Sequence, residues 1–321
     1  MPVAAARRDL YPVVMLSTPL KAYDIEILTD PFDRVVHDGW CFGLPPGIDP
    51  EQWPIDPANG YPLQHGFTLL LPEDWRCHGS EIVAISFFAS AVDLNDGGAI
   101  VKAPKIAEAM KSAKAGEPEP EDPELAVFWR AERLAHSRLQ RFEDDIGMAY
   151  AAMLLTRAEF EGQACSPPDL VPNQYRDLIE SPEWLEVGAA KSYWNHEGKY
   201  RWVGSPPNGG LCERRALRLT TRTGDQNAGR VPCDRFDSEQ TDYVHPLYEA
   251  PDAPDGSGYR WHTWAENRPA NHLGGTMRPS QSVPRFSPYF IEFEEELGGY
   301  NFGGGNAQLD VRELKFDWAC G

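Results

Sequence analysis

The chain has 321 residues, of which 41% are hydrophobic and 11% aromatic, which is enough for a sizeable core and argues against a largely disordered protein. Its 49 acidic residues outnumber its 30 basic residues, so the formal net charge is −19. This charge argues against direct binding of nucleic acid, whose phosphates it repels. The charge suits a basic protein partner, although many soluble bacterial proteins are equally acidic.

The sequence lacks the usual signals for a membrane or for export. No apolar run approaches the ~20 residues of a membrane span. Met1 to Arg8 is rich in alanine, but polar and charged residues follow before the apolar core of a signal peptide could form. We therefore expect a soluble cytoplasmic protein with no membrane contact.

The first hundred residues predict β-structure. Tyr23 to Leu28 alternates between apolar and polar residues, as in a half-buried strand. Gly66 to Leu71 and Glu81 to Ala89 are short runs rich in Thr, Ile, Val and Phe, which favours buried strands. Residues 39–65, between the first two segments, contain six prolines and predict an ordered, irregular loop; the prolines are at positions 45, 46, 50, 54, 57 and 62.

Residues 101–190 predict helices. Ala103 to Ala115 is one helix, and residues 116–123 form a stiff acidic connector of Gly, Glu, Asp and Pro. Asp122 and Pro123 suit the N-cap and first turn of a long helix. Apolar residues at steps of three and four extend this helix to Met153: Phe128, Ala131, Ala135, Leu139, Phe142, Ile146, Ala149 and Met153. A shorter helix is predicted over Pro172 to Ile179.

The last third returns to strands and turns. Ala216 to Thr221 and Tyr289 to Phe293 alternate well, and Leu309 to Trp318 is predicted as a closing strand with a bulge at Glu313-Leu314. The glycine-rich segment 298–305 lacks the Lys of a phosphate-binding loop and follows four glutamates, so we expect a tight turn there.

The residues that could carry catalysis or bind a metal are scattered. No Ser nucleophile elbow or tight His spacing is present. Cys77 with His78 and His262 with His272 come nearest to a metal site, and a metal-dependent activity is the weakest of the functions considered. We expect no catalytic residues, no metal and no cofactor. The cysteines, none in a C-x-x-C pair, are predicted to be reduced and mostly buried; they are Cys41, Cys77, Cys165, Cys212, Cys233 and Cys320.

Aromatic residues are abundant in predicted loops of the last third. Sheet packing explains most of them, while loop aromatics can also form interface hot spots. They are Trp194, Tyr200, Trp202, Tyr259, Trp261 and Trp264.

Two segments resemble the YwqG-like family of bacterial proteins. In Gly43 to Asp74 the similarity runs through Pro45, Trp53, Pro54, Gly60, Pro62 and Leu63. Near the other end it runs through His272-Leu-Gly-Gly275 and Phe290 to Val311, which carry a His-x-Gly-Gly turn and an acidic, glycine-rich turn. Two departures are His65-Gly66, where the family usually has Gln, and the long helical region.

The resemblance implies a fold and a function. The fold is α+β, mainly antiparallel β-sheet, with a helical region in the middle of the chain. We expect one compact domain over residues 1–321, or alternatively a β-rich segment over residues 1–100, a helical insertion over 101–190 and a second β-rich segment over 191–321. Members of the family are often encoded beside secreted toxins, which implies an immunity protein rather than an enzyme.

We therefore expect a protein that binds and neutralises a cognate, basic toxin, such as a nuclease of a type VI secretion system, by occluding it. Three acidic segments are the predicted contact surfaces: Glu292, Glu294, Glu295 and Glu296; Glu143, Asp144 and Asp145; and Glu117, Glu119 and Glu121. The alternative is a small-molecule-binding protein or enzyme that uses the glycine-rich turn and the loops around Trp261 and Trp264. A large apolar cleft with convergent polar groups would favour this alternative.

Overall fold

A computed structural model describes residues 19–91, 103–182, 184–185, 190–194, 200–203, 214–234 and 241–321. Met1 to Arg8 and Cys212 lie outside these ranges. Within them the helices are α1 (Pro104–Ala115), α2 (Pro123–Leu134) and α3 (Arg157–Phe160).

The strands of the described residues run from one end of the chain to the other. They are β1 (Tyr23–Pro31), β2 (Gly39–Cys41), β3 (Gln64–Leu70), β4 (Ile82–Ala89), β5 (Leu139–Glu143), β6 (Ala149–Thr156), β7 (Ala190–Trp194), β8 (Tyr200–Val203), β9 (Arg215–Thr221), β10 (Leu247–Glu249), β11 (Tyr259–Trp261), β12 (His272–Leu273), β13 (Phe290–Glu294), β14 (Asn306–Asp310) and β15 (Lys315–Ala319).

Eleven strands form one antiparallel sheet in the order β15-β14-β13-β12-β1-β9-β2-β3-β4-β6-β5. The pairs β10–β11 and β7–β8 form separate antiparallel ribbons. The expected α+β fold, mainly antiparallel sheet with helices in the middle of the chain, is therefore confirmed.

The large sheet curls until its two edge strands approach each other, which makes it a near-barrel. The ring of Phe316 on β15 lies 4.4 Å from that of Tyr150 on β6 and 5.8 Å from that of Phe142 on β5. Aromatic side chains from the middle of the sheet, such as Phe87 and Phe293, fill the inside and are fully buried.

A second apolar layer covers the other face. Trp40, Trp53 and Phe88 are buried there, and α1 and α2 add a smaller cluster around Ile106 and Phe128. Both faces of the central strands are thus covered, which explains why Gly66 to Leu71 and Glu81 to Ala89 are apolar without alternation.

Several predicted elements are confirmed. The segment Tyr23 to Leu28 falls in β1, Gly66 to Leu71 and Glu81 to Ala89 match β3 and β4 to within one residue at one end, and Ala103 to Ala115 contains α1. At the start of α2, Asp122 Oδ1 accepts a hydrogen bond from the Glu124 amide at 2.9 Å, and Pro123 occupies the first turn, as expected.

The long helix predicted to reach Met153 is wrong. Helix α2 ends at Leu134 with Ala135 as its C-cap, and the rest of the apolar stripe lies on β5, in the following turn and on β6. Gly147 turns the chain with φ 85°, and β6 pairs with β4 over its whole length. Pairing with the sheet outweighs the helical spacing, because β6 then buries both faces.

Two shorter predictions are also wrong. Residues 172–179 form turns instead of a helix, because the Asn173 side chain accepts backbone donors from Tyr175 and Arg176. The closing strand Leu309 to Trp318 is a hairpin of β14 and β15, and Leu314, with φ 50°, belongs to its turn rather than to a bulge.

The aromatic residues expected in loops are mostly in strands. Trp194 ends β7, Tyr200 and Trp202 lie in β8, and Tyr259 and Trp261 lie in β11. No helix of the described ranges combines the length and the apolar character that crossing a membrane requires.

Candidate functional site

A cleft of about 540 Å³ lies beside the β5–β6 hairpin. Helix α1 forms one wall, and β5, the turn and the start of β6 form the other, with the turn at Asp56 contributing as well. Most of the wall is apolar: Ala103, Ala107, Met110, Phe142, Ala149 and Tyr150.

Asp56 is the most buried charged group of the cleft lining, with 3% of its surface exposed. Its carboxylate accepts hydrogen bonds from Ser90 Oγ at 2.6 Å, the Ala58 amide at 2.8 Å and Asn59 Nδ2 at 3.0 Å. Burial raises the pKa of Asp56, while these donors and the nearby Arg141 oppose that rise.

Arg141 and Glu132 face each other in the same cleft. Arg141 Nε lies 3.1 Å from Glu132 Oε2, and Arg141 Nη1 donates to the Ile55 carbonyl at 2.8 Å. Burial lowers the pKa of Arg141, and the charges of Glu132 and Asp56 counteract this effect. The interior of the cleft thus places one guanidinium, that of Arg141, beside the carboxyl groups of Glu132 and Asp56.

The rim carries charged residues that reach solvent. Lys111 and Lys114 are exposed on α1, and Glu143 is exposed on the hairpin. Within the described part of the chain, neither lysine has an acidic group within 4.0 Å.

The sequence does not reveal this site, for an identifiable reason. In the long helix predicted from sequence, Arg141 would lie on the solvent face, opposite the apolar stripe. Asp56 lies in a proline-rich loop that carries no catalytic motif. The sequence Asp56-Pro-Ala-Asn-Gly60 is typical of a turn, which is what it forms. Only the fold brings Asp56, α1 and β5 together.

The His-x-Gly-Gly turn lies in a second buried polar cluster. His272 Nδ1 lies 2.8 Å from the Gly274 carbonyl, and its Nε2 lies 3.4 Å from Glu292 Oε1. Close by, the fully buried Arg222 side chain contacts Asp24 and lies 3.8 Å from Asp225. The cluster joins β1, the end of β9, β12 and β13, and its members Arg222, His272 and Glu292 are buried, so we assign it a structural role.

Of the predicted acidic contact surface around β13, only part is accessible. Glu292 and Glu295 are 1% and 4% exposed, so the prediction that they form a surface is wrong. Glu295 Oε1 accepts hydrogen bonds from the amides of Phe302 and Gly304, which shapes the glycine-rich turn. Glu294 is exposed and Glu296 is half-buried.

The other two predicted acidic segments reach the surface. Glu117, Glu119 and Glu121 are exposed in the connector between α1 and α2, where Glu119 pairs with Arg130. Glu143 and Asp145 are exposed at the β5–β6 turn, whereas Asp144 between them is occupied by internal hydrogen bonds.

The weak metal-site pairs do not assemble. His262 stacks on Trp264 with ring centroids 5.8 Å apart, whereas His272 is buried in the polar cluster described above. Among the described residues no group of three or more His, Cys, Asp and Glu side chains is arranged to hold a metal ion.

The two segments that carry the family resemblance are in contact. Gln64 Nε2 donates to the carbonyls of Gly298 and Gly299 at 3.1 and 3.0 Å, across more than 230 positions. In the comparisons, no family model, no curated protein and no solved structure matches the chain. The resemblance therefore enters the functional argument as a hypothesis.

Proposed function

We propose that the protein binds a small molecule in the cleft between α1 and the β5–β6 hairpin. The observation that carries this proposal is a concave, largely apolar site of about 540 Å³ with a few converging charged groups. Ligand sites typically have volumes of ~300–1,000 Å³ and this kind of lining. The lining contains no residue of the glycine-rich turn and neither Trp261 nor Trp264, so the site differs from the one expected from sequence.

The buried groups of the cleft support the same proposal. Asp56 and Arg141 both have pKa values displaced by burial, and ionisable groups of this kind are concentrated at functional sites. The fold supports them with Ser90, Asn59 and Glu132, so their positions are fixed before a ligand arrives.

A fluorescence titration with the neutral apolar probe N-phenyl-1-naphthylamine tests the proposal. We expect saturable binding of one probe per chain. Ala107→Trp places an indole in the cleft and should abolish that binding. The matched control is Ala115→Trp, since Ala115 is exposed on the same helix and lies outside the cleft. Equal binding by both variants, or no saturable binding by the native chain, would contradict the proposal.

A second candidate function is toxin immunity in the cytoplasm. Two observations favour it: the net charge of −19 and the exposed acidic segments at Glu117 to Glu121 and at the β5–β6 turn. Acidic patches speed the encounter with a basic partner. Together with the resemblance to the YwqG-like family, they support binding to a basic toxin.

The immunity candidate is tested with the product of the gene next to this one. Replacing Glu117, Glu119 and Glu121 by Lys, or Glu143 and Asp145 by Lys, should weaken its binding and its neutralisation. Circular dichroism checks that the fold is unchanged. Full protection from the toxin by both variants would contradict an electrostatic contact at these segments. If the native chain binds the cleft probe but does not bind this gene product, only the first proposed function remains.

A further inference from the structure

We infer that the cleft selects an amphipathic anion, that is, a molecule with an apolar ring or chain and one anionic group such as a carboxylate, sulfonate or phosphate. The inference rests on the proposed function of the cleft as a ligand site and adds the chemical class of the ligand.

The unpaired positive charges of the cleft lie together on one side. Lys111 and Lys114 are three positions apart on α1, which places them on neighbouring turns of one helix face. Both line the cleft, and in the described ranges no carboxylate lies within salt-bridge distance of either. Lys315, by contrast, is paired with Glu313. An anion at the α1 side would therefore meet two available ammonium groups.

The acidic groups of the interior have partners other than the two lysines. Asp56 is held by three hydrogen-bond donors, and Glu132 faces Arg141 at 3.1 Å. Glu143 is exposed on the hairpin side of the lining. Because Glu143 repels an anion and the two lysines attract it, the anionic group is directed to the α1 rim.

The rest of the ligand meets apolar surface. Met110, Phe142 and Ala149 line the cleft with carbon atoms. The Tyr150 hydroxyl is directed to Asp144 Oδ2 at 3.2 Å, so it is already engaged. An apolar ring or chain gives up no hydrogen bonds to water when it packs against this wall. A polar group there would lose its hydrogen bonds to water without replacement.

Two probes of similar shape separate the contribution of the charge from that of the apolar body. The anionic probe is 8-anilinonaphthalene-1-sulfonate, and the neutral probe is N-phenyl-1-naphthylamine. We expect the native chain to bind the anionic probe more tightly. The double variant Lys111→Gln with Lys114→Gln should bind the anionic probe about five- to tenfold more weakly, which corresponds to the loss of two partly exposed ion pairs. Its affinity for the neutral probe should change by less than twofold.

The control variant is Lys105→Gln, which removes a positive charge from α1 outside the cleft lining and should leave both affinities unchanged. Raising the salt concentration should reduce the difference in affinity between the anionic and the neutral probe, because salt screens exposed charges. If the neutral probe binds the cleft and Ala107→Trp blocks it, but the lysine variant does not affect the anionic probe, the ligand class is wrong and the site stands. If neither probe binds saturably, the proposed function fails together with this inference.

Discussion

Trp318 donates a hydrogen bond from its indole Nε1 to Asp144 Oδ2 at 2.7 Å, although 174 positions separate the two residues. Asp144 lies in the β5–β6 turn and Trp318 on β15, so the bond joins the two edge strands of the eleven-stranded sheet. The same carboxylate accepts the amides of Ile146 and Met148, at 3.1 and 2.8 Å. Asp144 therefore has a structural role that accounts for its presence among the acidic residues of this turn.

Trp318→Phe should lower the free energy of unfolding by about 1–2 kcal/mol, because the hydrogen bond to a charged acceptor is lost while most of the ring remains. Urea denaturation measures this effect. Asp145→Asn is the control, since Asp145 is exposed next to Asp144. A loss no larger than that of the control would mean that the bond contributes nothing to closing the sheet.

The elements that were predictable from sequence are those whose signals are local. The alternation of β1 and the cap at Asp122 depend on neighbours within a few positions, and both are confirmed. The stripe from Phe128 to Met153 has helical spacing throughout, but the strand β4 selects β-structure for its last part. That strand is distant in sequence, so a local pattern could not include its effect.

The candidate site was unpredictable for a similar reason. Its charged residues come from a turn near residue 56 and from α1, α2 and β5, about 50 positions or more further along the chain. The acidic residues of β13 and the turn after it gave the reverse error, a site predicted where the structure has buried side chains. A cluster of glutamates predicts a solvated surface, whereas Glu292 and Glu295 have interior donors that sequence does not reveal.

Gly66 makes room for Tyr300, and this contact joins the two segments that resemble the YwqG-like family. A Cβ atom at Gly66 would lie 1.5 Å from the Tyr300 hydroxyl, and one at Gly298 would lie 2.3 Å from it. Gly66→Ala should therefore destabilise the protein by about 3 kcal/mol or more, because a packed core resists added atoms. Thermal and urea denaturation provide the measurement.

Two comparisons show whether this loss is due to the contact with Tyr300. Gly304→Ala meets no atom within 4 Å and has only its φ of 78° to accommodate, so it should cost about 1 kcal/mol. The double variant Gly66→Ala with Tyr300→Leu should lose less unfolding free energy than the sum of the losses of the two single variants. Strict additivity would show that the tyrosine is not what excludes a side chain at position 66.

The described cysteines should differ widely in their reaction with a maleimide in the native state. Cys320 is exposed and should react first. Burial raises the pKa of Cys77 to about 12 and that of Cys165 to about 11, so few of these thiols are ionised near neutral pH. Peptide mass spectrometry after brief labelling measures each site separately, and labelling after denaturation provides the reference. Modification of Cys165 as fast as Cys320 would contradict the burial of Cys165.

The stability of the protein should fall as the pH rises, in part through Glu292. Burial raises the pKa of Glu292 to about 8, although the charges of Arg222 and Arg278 oppose this rise. Burial also lowers the pKa of His272 well below its ordinary value. His272 Nδ1 faces the Gly274 carbonyl at 2.8 Å, and its Nε2 lies 3.4 Å from Glu292 Oε1.

The pH window follows from the two states of this carboxyl group. In the unfolded chain its pKa is about 4.3, so between about pH 4.3 and 8 the folded state holds a proton that the unfolded state has lost. Stability from Glu292 is therefore complete below this window and decreases through it, with a slope of at most about 1.4 kcal/mol per pH unit. Above about pH 8 both states are ionised and the slope ends.

Glu292→Gln separates this contribution from those of other groups, since Gln has the shape and the donor of the protonated acid. Asp56 and the remaining ionisable groups are present in both proteins, so the difference in unfolding free energy isolates Glu292. Unfolding free energies are measured by urea denaturation from pH 5 to 9. At pH 5 the variant should be no more stable than the native chain, and its stability relative to the native chain should increase as the pH rises. Glu81→Gln, at an exposed position, should follow the native curve. A constant difference between native and Glu292→Gln protein would mean that Glu292 is ionised throughout this range in the folded state.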